Sequence, residues 1–253
     1  MGFKSLRVYE IKPFDLKGFF NSAPVTMEPI LVVIPAYNSA SSLGNVIAKI
    51  RRHLTESGYP YNILVVNDGS TDLTAEVATG LGVLLINHAQ NLGKGAALKT
   101  AFQYADKNKY AVIATMDSDL QHDPSSLPSM LSLFMSGNYD LVIGTRQFDM
   151  NKMSLSRIIS NRLTSRLISM RAKQPILDSQ SGYRIMRTSA IRNITLKTSR
   201  FETESEIVIR LAQNHCRIGF YPIDTIYAGE KSNIRHVRDT LRFIKMYIGT
   251  ILH

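Results

Sequence analysis

The stretch ILVVIPAYNSASSLGNVIAKIRRHLTESGYPYNILVVNDGSTD, residues 30–72, decides the fold. It opens with a short apolar run, Ile30 to Ile34, that stops at Pro35, as a buried strand does. Ser41 and Ser42 offer caps for a helix reaching Glu56, whose Leu43, Val46, Ile47, Ile50 and Leu54 keep helical spacing. Tyr61 to Val66 is a second strand, ending in Asn67-Asp68-Gly69-Ser70. Two strands joined by a helical crossover form the unit from which parallel sheets are built.

The alternation continues outward. Thr71 or Asp72 starts a second helix, Gly82 to Ile86 is a third strand, and a helix is expected from Gly93 to Asp106. Ala111 to Met116 forms a strand closing on Asp117-Ser118-Asp119, Pro124 to Met135 a helix, and Tyr139 to Ile143 a fifth strand before Gly144-Thr145-Arg146. The expected class is α/β, a mostly parallel central sheet with helices on both faces. Such sheets bind ligands beyond the carboxyl ends of their strands. Those ends carry Tyr37, Asn38, Asp68, the 87–94 loop, Asp117, Asp119 and Arg146.

Past Arg146 the character changes. Residues 150–177 hold Lys152, Arg157, Arg162, Arg166, Arg171 and Lys173 and no acid. A loop with Gly182 follows from Asp178 to Arg184, then a helix over Glu202 to Gln213, a strand over Arg217 to Ile223, and an amphipathic helix over His236 to Ile251. The division expected is an N-terminal arm (1–28), a catalytic domain (29–230) and a C-terminal amphipathic helix (231–253).

Composition agrees with a globular protein. The 253 residues are 44% hydrophobic and 20% charged, enough for a sizeable core. A net charge of +10 directs the chain toward anions: nucleotides, nucleic acid or acidic membrane surfaces. The single cysteine, Cys216, excludes an internal disulfide and fits a reducing compartment. No run reaches the roughly 18 apolar residues that span a bilayer, and residues 1–27 lack a signal-peptide core.

Three segments carry chemistry. Asp117 and Asp119 at a strand end, with Gln121 and Asp123 close behind, supply the hard oxygen donors that hold a divalent cation against a diphosphate. The same spacing also serves turns and caps. Asp68 can accept hydrogen bonds from a base or ribose, while Asp72 suits a helix cap. Asn91-Leu92-Gly93-Lys94-Gly95 opens a helix whose N–H groups favour anions, although its spacing is not that of a P-loop. His122 and His215 have no spaced partner that suggests zinc and read as bystanders.

Seven stretches then point to one family. They are VVIPAYNSA (32–40), VVNDGSTD (65–72), NLGKGAALKTAF (91–102), MDSDLQHDP (116–124), VIGTR (142–146), DSQSGYRIMR (178–187) and FETESEIVIRLA (201–212). In this order they resemble the family 2 inverting glycosyltransferases, in particular the dolichol-phosphate mannose synthase and polyprenyl-phosphate glycosyltransferase branch. The resemblance implies a GT-A type fold, a nucleotide-diphosphate sugar donor and a polyprenyl phosphate acceptor. By the same resemblance, Pro35, Tyr37 and Asp68 line the nucleoside pocket, and Asn91, Gly93 and Lys94 close over nucleoside and phosphates. Asp117, Asp119 and Gln121 gather Mg2+ or Mn2+ and the donor diphosphate. Arg146 and Arg184 face the acceptor phosphate, and Asp178 acts as a base for a hydroxyl acceptor or orients a phosphate. Asp119, Asp178 and Arg146 form the catalytic set. Ser39 departs from the family's usual glutamate after Tyr-Asn and leaves the donor base open.

Four readings compete: transfer to a lipid phosphate; transfer to a sugar hydroxyl on a growing glycan; a basic binding module without catalysis; and nucleotidyl transfer. The first is expected. No nucleic-acid motif is present. Leu155, Ile158, Ile159, Leu163 and Leu167 alternate with Arg157, Arg162 and Arg166, and Val237, Leu241, Ile244 and Ile248 with Arg238, Arg242 and Lys245. Basic amphipathic helices can lie in a headgroup layer, and can equally pack their apolar faces on the sheet with solvated arginines outside. With the family resemblance added, the expected place is the cytoplasmic face of an anionic membrane, bound peripherally.

Overall fold

The computed structural model describes residues 28–146, 155–224 and 236–251, and of 155–162 and 236–239 it describes the backbone only. The expected N-terminal arm lies outside the described residues apart from Glu28, as do the side chains of Leu155, Arg157, Ile158, Ile159, Arg162, Val237 and Arg238.

The opening unit forms as its sequence requires. β1 (Ile30–Ala36) pairs in parallel with β2 (Tyr61–Asn67), Ile30 opposite Tyr61 and Ala36 opposite Asn67. Between them α1 (Ala40–Ser57) buries Leu43, Val46, Ile47, Ile50 and Leu54, one face of a helix, and ends at Gly58 in the left-handed conformation. α2 (Thr74–Gly80) starts later than expected, because Asp72 takes the Thr74 N–H with one carboxylate oxygen and the Ala40 N–H with the other, capping toward both helices. β3 (Leu84–Asn87), α3 (Lys94–Lys107), β4 (Val112–Thr115), a 3-10 turn (Pro124–Ser126) running into α4 (Leu127–Ser136), and β5 (Leu141–Arg146) follow. α5 (Leu155–Ala172) carries the basic segment.

The unexpected element is β6 (Arg184–Arg187), which continues into α6 (Thr188–Arg192). Its residues were expected partly in a loop, yet β6 lies inside the sheet, antiparallel to both β4 and β5. α7 (Glu202–Gln213), β7 (Ile218–Ile223) and α8 (His236–Ile251) complete the chain, and β7 runs parallel to β5. The seven-stranded sheet has the order β3-β2-β1-β4-β6-β5-β7. β6 alone runs against the rest, so β5 stands one strand away from β4.

Alternate residues of each strand enter opposite cores. Leu31, Val33, Leu64, Val66, Ile113 and Met186 pack with α3 and α7 on one face. Ile30, Val32, Ile34, Val65, Ala114 and Ile185 pack with α1 and α4 on the other. The carboxyl ends of β1, β2, β4 and β5 therefore share one edge. The reversal of β6 brings the start of that strand, with residues 178–183 before it, to the same edge.

Candidate active site

At the end of β2, Asp68 is 3% exposed and works inside the protein. Its carboxylate accepts the Leu92 N–H at 3.0 Å, the Gly93 N–H at 2.7 Å and a bond with His88 Nδ1 at 2.7 Å. It thus ties the strand end to the 91–93 loop. Gly69 and Gly93 permit this approach. Both have positive φ, and a Cβ on Gly69 would come within 2.3 Å of the Gln90 backbone. Asn91 accepts a bond from Arg200 at 3.2 Å. Tyr37 is 45% exposed at the mouth, above the partly buried Pro35. Ser39 is bonded to Ser118 at 2.8 Å, linking the start of α1 to the Asp117–Asp119 turn.

Lys94 begins α3 and points inward. Its ammonium lies 2.5 Å from Asp117 and 2.8 Å from Glu204. Burial works against that charge, but the Asp117 and Glu204 carboxylates prevail and raise the lysine pKa. Burial likewise opposes ionisation of Asp117, and Lys94 holds its carboxyl below the usual carboxylate range. Gly182 closes over the pair: a Cβ there would lie 2.7 Å from both Asp117 oxygens and 2.8 Å from Lys94 Nζ. Thr115 fixes this approach by donating to the Gly182 carbonyl at 2.8 Å.

Arg146, at the end of β5, grips Asp178 through Nε at 2.7 Å and Nη2 at 2.9 Å. Asp178 is 1% exposed. Burial disfavours its charge, and the bonded guanidinium outweighs burial, so its pKa is lowered. Asp119 accepts the Gln121 N–H at 3.0 Å, which fixes the turn after β4.

The structure thus brings Lys94, Asp117, Asp119, Gln121, Arg146 and Asp178 to one sheet edge. Arg184 is a correction. It is 1% exposed, and its guanidinium donates to the carbonyls of Ser181, Glu204 and Ser179 at 2.7–2.8 Å. It supports the floor of the site and does not face an acceptor phosphate. His122, read as a bystander, belongs to the site. It is buried beside Tyr183, its Nδ1 has no hydrogen-bond partner, and burial lowers its pKa to about 4 despite the nearby Asp117. Glu204 was missed altogether. The signal available was three acids at alternate positions, Glu202, Glu204 and Glu206, in a helix otherwise rich in apolar residues, so they cannot all face water.

The donor set fits a divalent metal: carboxylates of Asp117 and Asp119 and the amide oxygen of Gln121 are hard ligands. Among the described residues no three His, Cys, Asp or Glu side chains stand close enough to hold an ion alone. Ions of the Mg2+ type are commonly held by one or two carboxylates, with substrate phosphates and water completing the shell.

Comparison with known proteins agrees with the geometry. The family model for glycosyl transferase family 2 matches residues 31–195. A protein of Methanocaldococcus jannaschii is 34% identical over 208 residues, covering 80% of this chain and 84% of its own. A UDP-N-acetylglucosamine–dolichyl-phosphate N-acetylglucosaminyltransferase of Methanococcus voltae is 29% identical over 220 residues, 78% of this chain and 86% of its own. Glucosyl-3-phosphoglycerate synthase of Mycobacterium tuberculosis, solved with UDP, superposes with a TM-score of 0.69 at 19% identity, over 89% of this chain and 80% of that one. The same enzyme solved with Mn2+ and UDP-glucose gives a TM-score of 0.66 at 20% identity, over 90% of this chain and 79% of that one. With the family match running from β1 to just past α6 and a GT-A type fold around it, the chain belongs to glycosyl transferase family 2 and is a glycosyltransferase.

Proposed function

We propose that the protein transfers a hexose from a nucleotide-diphosphate sugar to a polyprenyl phosphate, with inversion, in a metal-dependent reaction at a membrane surface. The observation that carries this reading is the Arg146–Asp178 clamp. A carboxylate held ionised by a bidentate arginine is a weak base. An acceptor hydroxyl needs a base, whereas a lipid monophosphate, with a second pKa of about 6, is already an anion at neutral pH. It needs a cation to orient it, and Arg146, locked in place by Asp178, provides one. The Methanococcus voltae relative, whose acceptor by name is dolichyl phosphate, supports the same choice.

The donor lies along the ends of β1 and β2, against Pro35 and Tyr37. Asp68 acts by holding the 91–93 loop as the pocket's lip. Lys94 meets the diphosphate as charge builds on the leaving group. Asp117, Asp119 and Gln121 would hold Mg2+ or Mn2+, which supplies charge neutralisation for the departing diphosphate. Gly182 brings the acceptor side within reach of the sugar, and the acceptor oxygen attacks from the face opposite the leaving group.

The membrane reading rests on the outer faces of α5, with the residues that follow it, and of α8. Leu163, Met170 and Leu177 are exposed beside Arg166 and Lys173, and Leu241, Ile244, Ile248 and Ile251 beside Lys245. The helices touch: the Tyr247 hydroxyl donates to the Leu167 carbonyl at 3.2 Å, and Arg171 donates to that of Thr250. No helix of the described residues is long and apolar enough to cross a membrane. Leu177, exposed, directly precedes the buried Asp178 in the chain.

The test is a product assay with labelled UDP- and GDP-hexoses, a short polyprenyl phosphate and Mg2+ or Mn2+. The expected product is an organic-extractable glycosyl phosphate of inverted anomeric configuration, lost in chelator. Transfer only to soluble sugar hydroxyls overturns the acceptor assignment, and full activity in excess chelator overturns the metal.

A further inference from the structure

Glu204 raises a physical question. If Lys94 serves only to grip a diphosphate, a buried carboxylate 2.8 Å from its ammonium is a liability, since that carboxylate repels the incoming anion. Glu204 is nevertheless built in firmly. It is 5% exposed, it stands in the first turn of α7, and its own carbonyl is pinned by Arg184 at 2.7 Å. Gly182 packs directly over Lys94 and Asp117, where a Cβ would lie within 2.8 Å of both. In the resting protein the ammonium therefore occupies the side of Asp117 that would otherwise attract a cation.

We propose that Glu204 is a positioning residue that keeps Lys94 as an internal counter-cation for Asp117 and retains the displaced ammonium when Asp117 turns to the metal. This rests on the metal-dependent donor site proposed above. Metal alone must compete with Lys94 for Asp117 and binds poorly. When a nucleoside diphosphate arrives with the metal, the displaced ammonium gains the phosphates as a new partner. Metal and donor therefore bind as a pair, with Glu204 setting where the lysine waits.

The experiment is a Mn2+ titration followed by EPR, with Mn2+ alone and with UDP or GDP, whichever stabilises the wild type in a thermal melt. Lys94→Met should bind Mn2+ alone about tenfold more tightly and lose most of the gain that the nucleotide provides. Glu204→Gln should bind Mn2+ alone more weakly than wild type, since Lys94 then has only Asp117 as partner. Glu204→Asp, which keeps the charge, should return toward wild type, and the double variant should follow Lys94→Met. Opposite shifts cannot come from partial unfolding, which weakens both variants. If Lys94→Met leaves the Mn2+ affinity unchanged or lowers it, or if both variants shift the same way, the inference falls while the metal-dependent reading stands. A wild type that binds no Mn2+ even with nucleotide overturns both.

Discussion

Arg146 and Asp178 form a two-pronged pair in which the carboxylate also accepts the Arg146 backbone N–H at 3.3 Å. Breaking a buried pair by removing one charge is costly, so Asp178→Asn should lose about 3 kcal/mol of stability. The sign of its pH dependence follows from the lowered carboxyl pKa. A depressed Asp contributes stability above its unfolded value of 3.8, and that contribution is lost as pH falls through the folded value. Urea melts should show the full gap between wild type and variant at neutral pH and a narrowing gap below pH 3.8. A gap unchanged down to the acid limit of folding would contradict the pairing. In turnover, the variant should lose kcat far more than donor affinity.

Gly182→Ala probes the close approach over Asp117 and Lys94. The added methyl meets the movable ends of two side chains, so the fold should survive with a loss of about 1–3 kcal/mol. Donor binding, followed by nucleotide-dependent thermal stabilisation, should fall more than the melting temperature does. Full donor affinity in a folded variant would mean that the lysine–aspartate pair is not part of the donor site.

Asp119→Asn tests the metal. Replacing one charged oxygen by an amide at the turn after β4 should lower kcat by about 100-fold. The fold should remain intact, because an amide oxygen can still accept the Gln121 N–H. Circular dichroism and turnover with Mg2+ and Mn2+ provide the check; unchanged kcat would remove Asp119 from the metal site.

For the membrane, co-sedimentation with phosphatidylglycerol vesicles should capture the protein at low salt and release it at high salt. Each basic side chain near an acidic surface is worth roughly 1 kcal/mol, so Arg166→Glu with Lys245→Glu should lower vesicle binding by more than tenfold. Ile248→Ser should weaken it without changing the salt dependence. No capture at low salt would argue against the docking face.

Much of the nucleotide half could be read from sequence because its strands are buried on both faces. Runs such as Ile30 to Ile34 and Ile63 to Val66 stay apolar and stop at Pro35 and Asn67. β6 could not be read so, since its four residues begin and end in arginine. Arg184 is tolerated there because three carbonyls satisfy it, a tertiary arrangement that leaves no local signature. The same limit hid Glu204, whose partner Lys94 lies in another helix. Asp68 shows a subtler limit. Its position at a strand end was legible, but its bonds to the Leu92 and Gly93 N–H groups depend on how the loop returns to the strand.

The reversed strand also bears on how the sheet can be assembled. β6 follows β4 and β5 in the chain yet lies between them, pairing Val112 with Arg187 on one side and Leu141 with Met186 on the other. As the chain leaves the ribosome, β4 and β5 each present an unpaired edge until Arg184–Arg187 is synthesised. Such edges are where nascent sheets misassociate. Insertion of this strand seals both edges and, in the same movement, carries Gly182 over Asp117 and Lys94. One short strand therefore both fills the centre of the sheet and covers the Asp117–Lys94 pair, so a chain that stops before Arg184 lacks this part of the pocket, and Glu204 and β7 are added only after it.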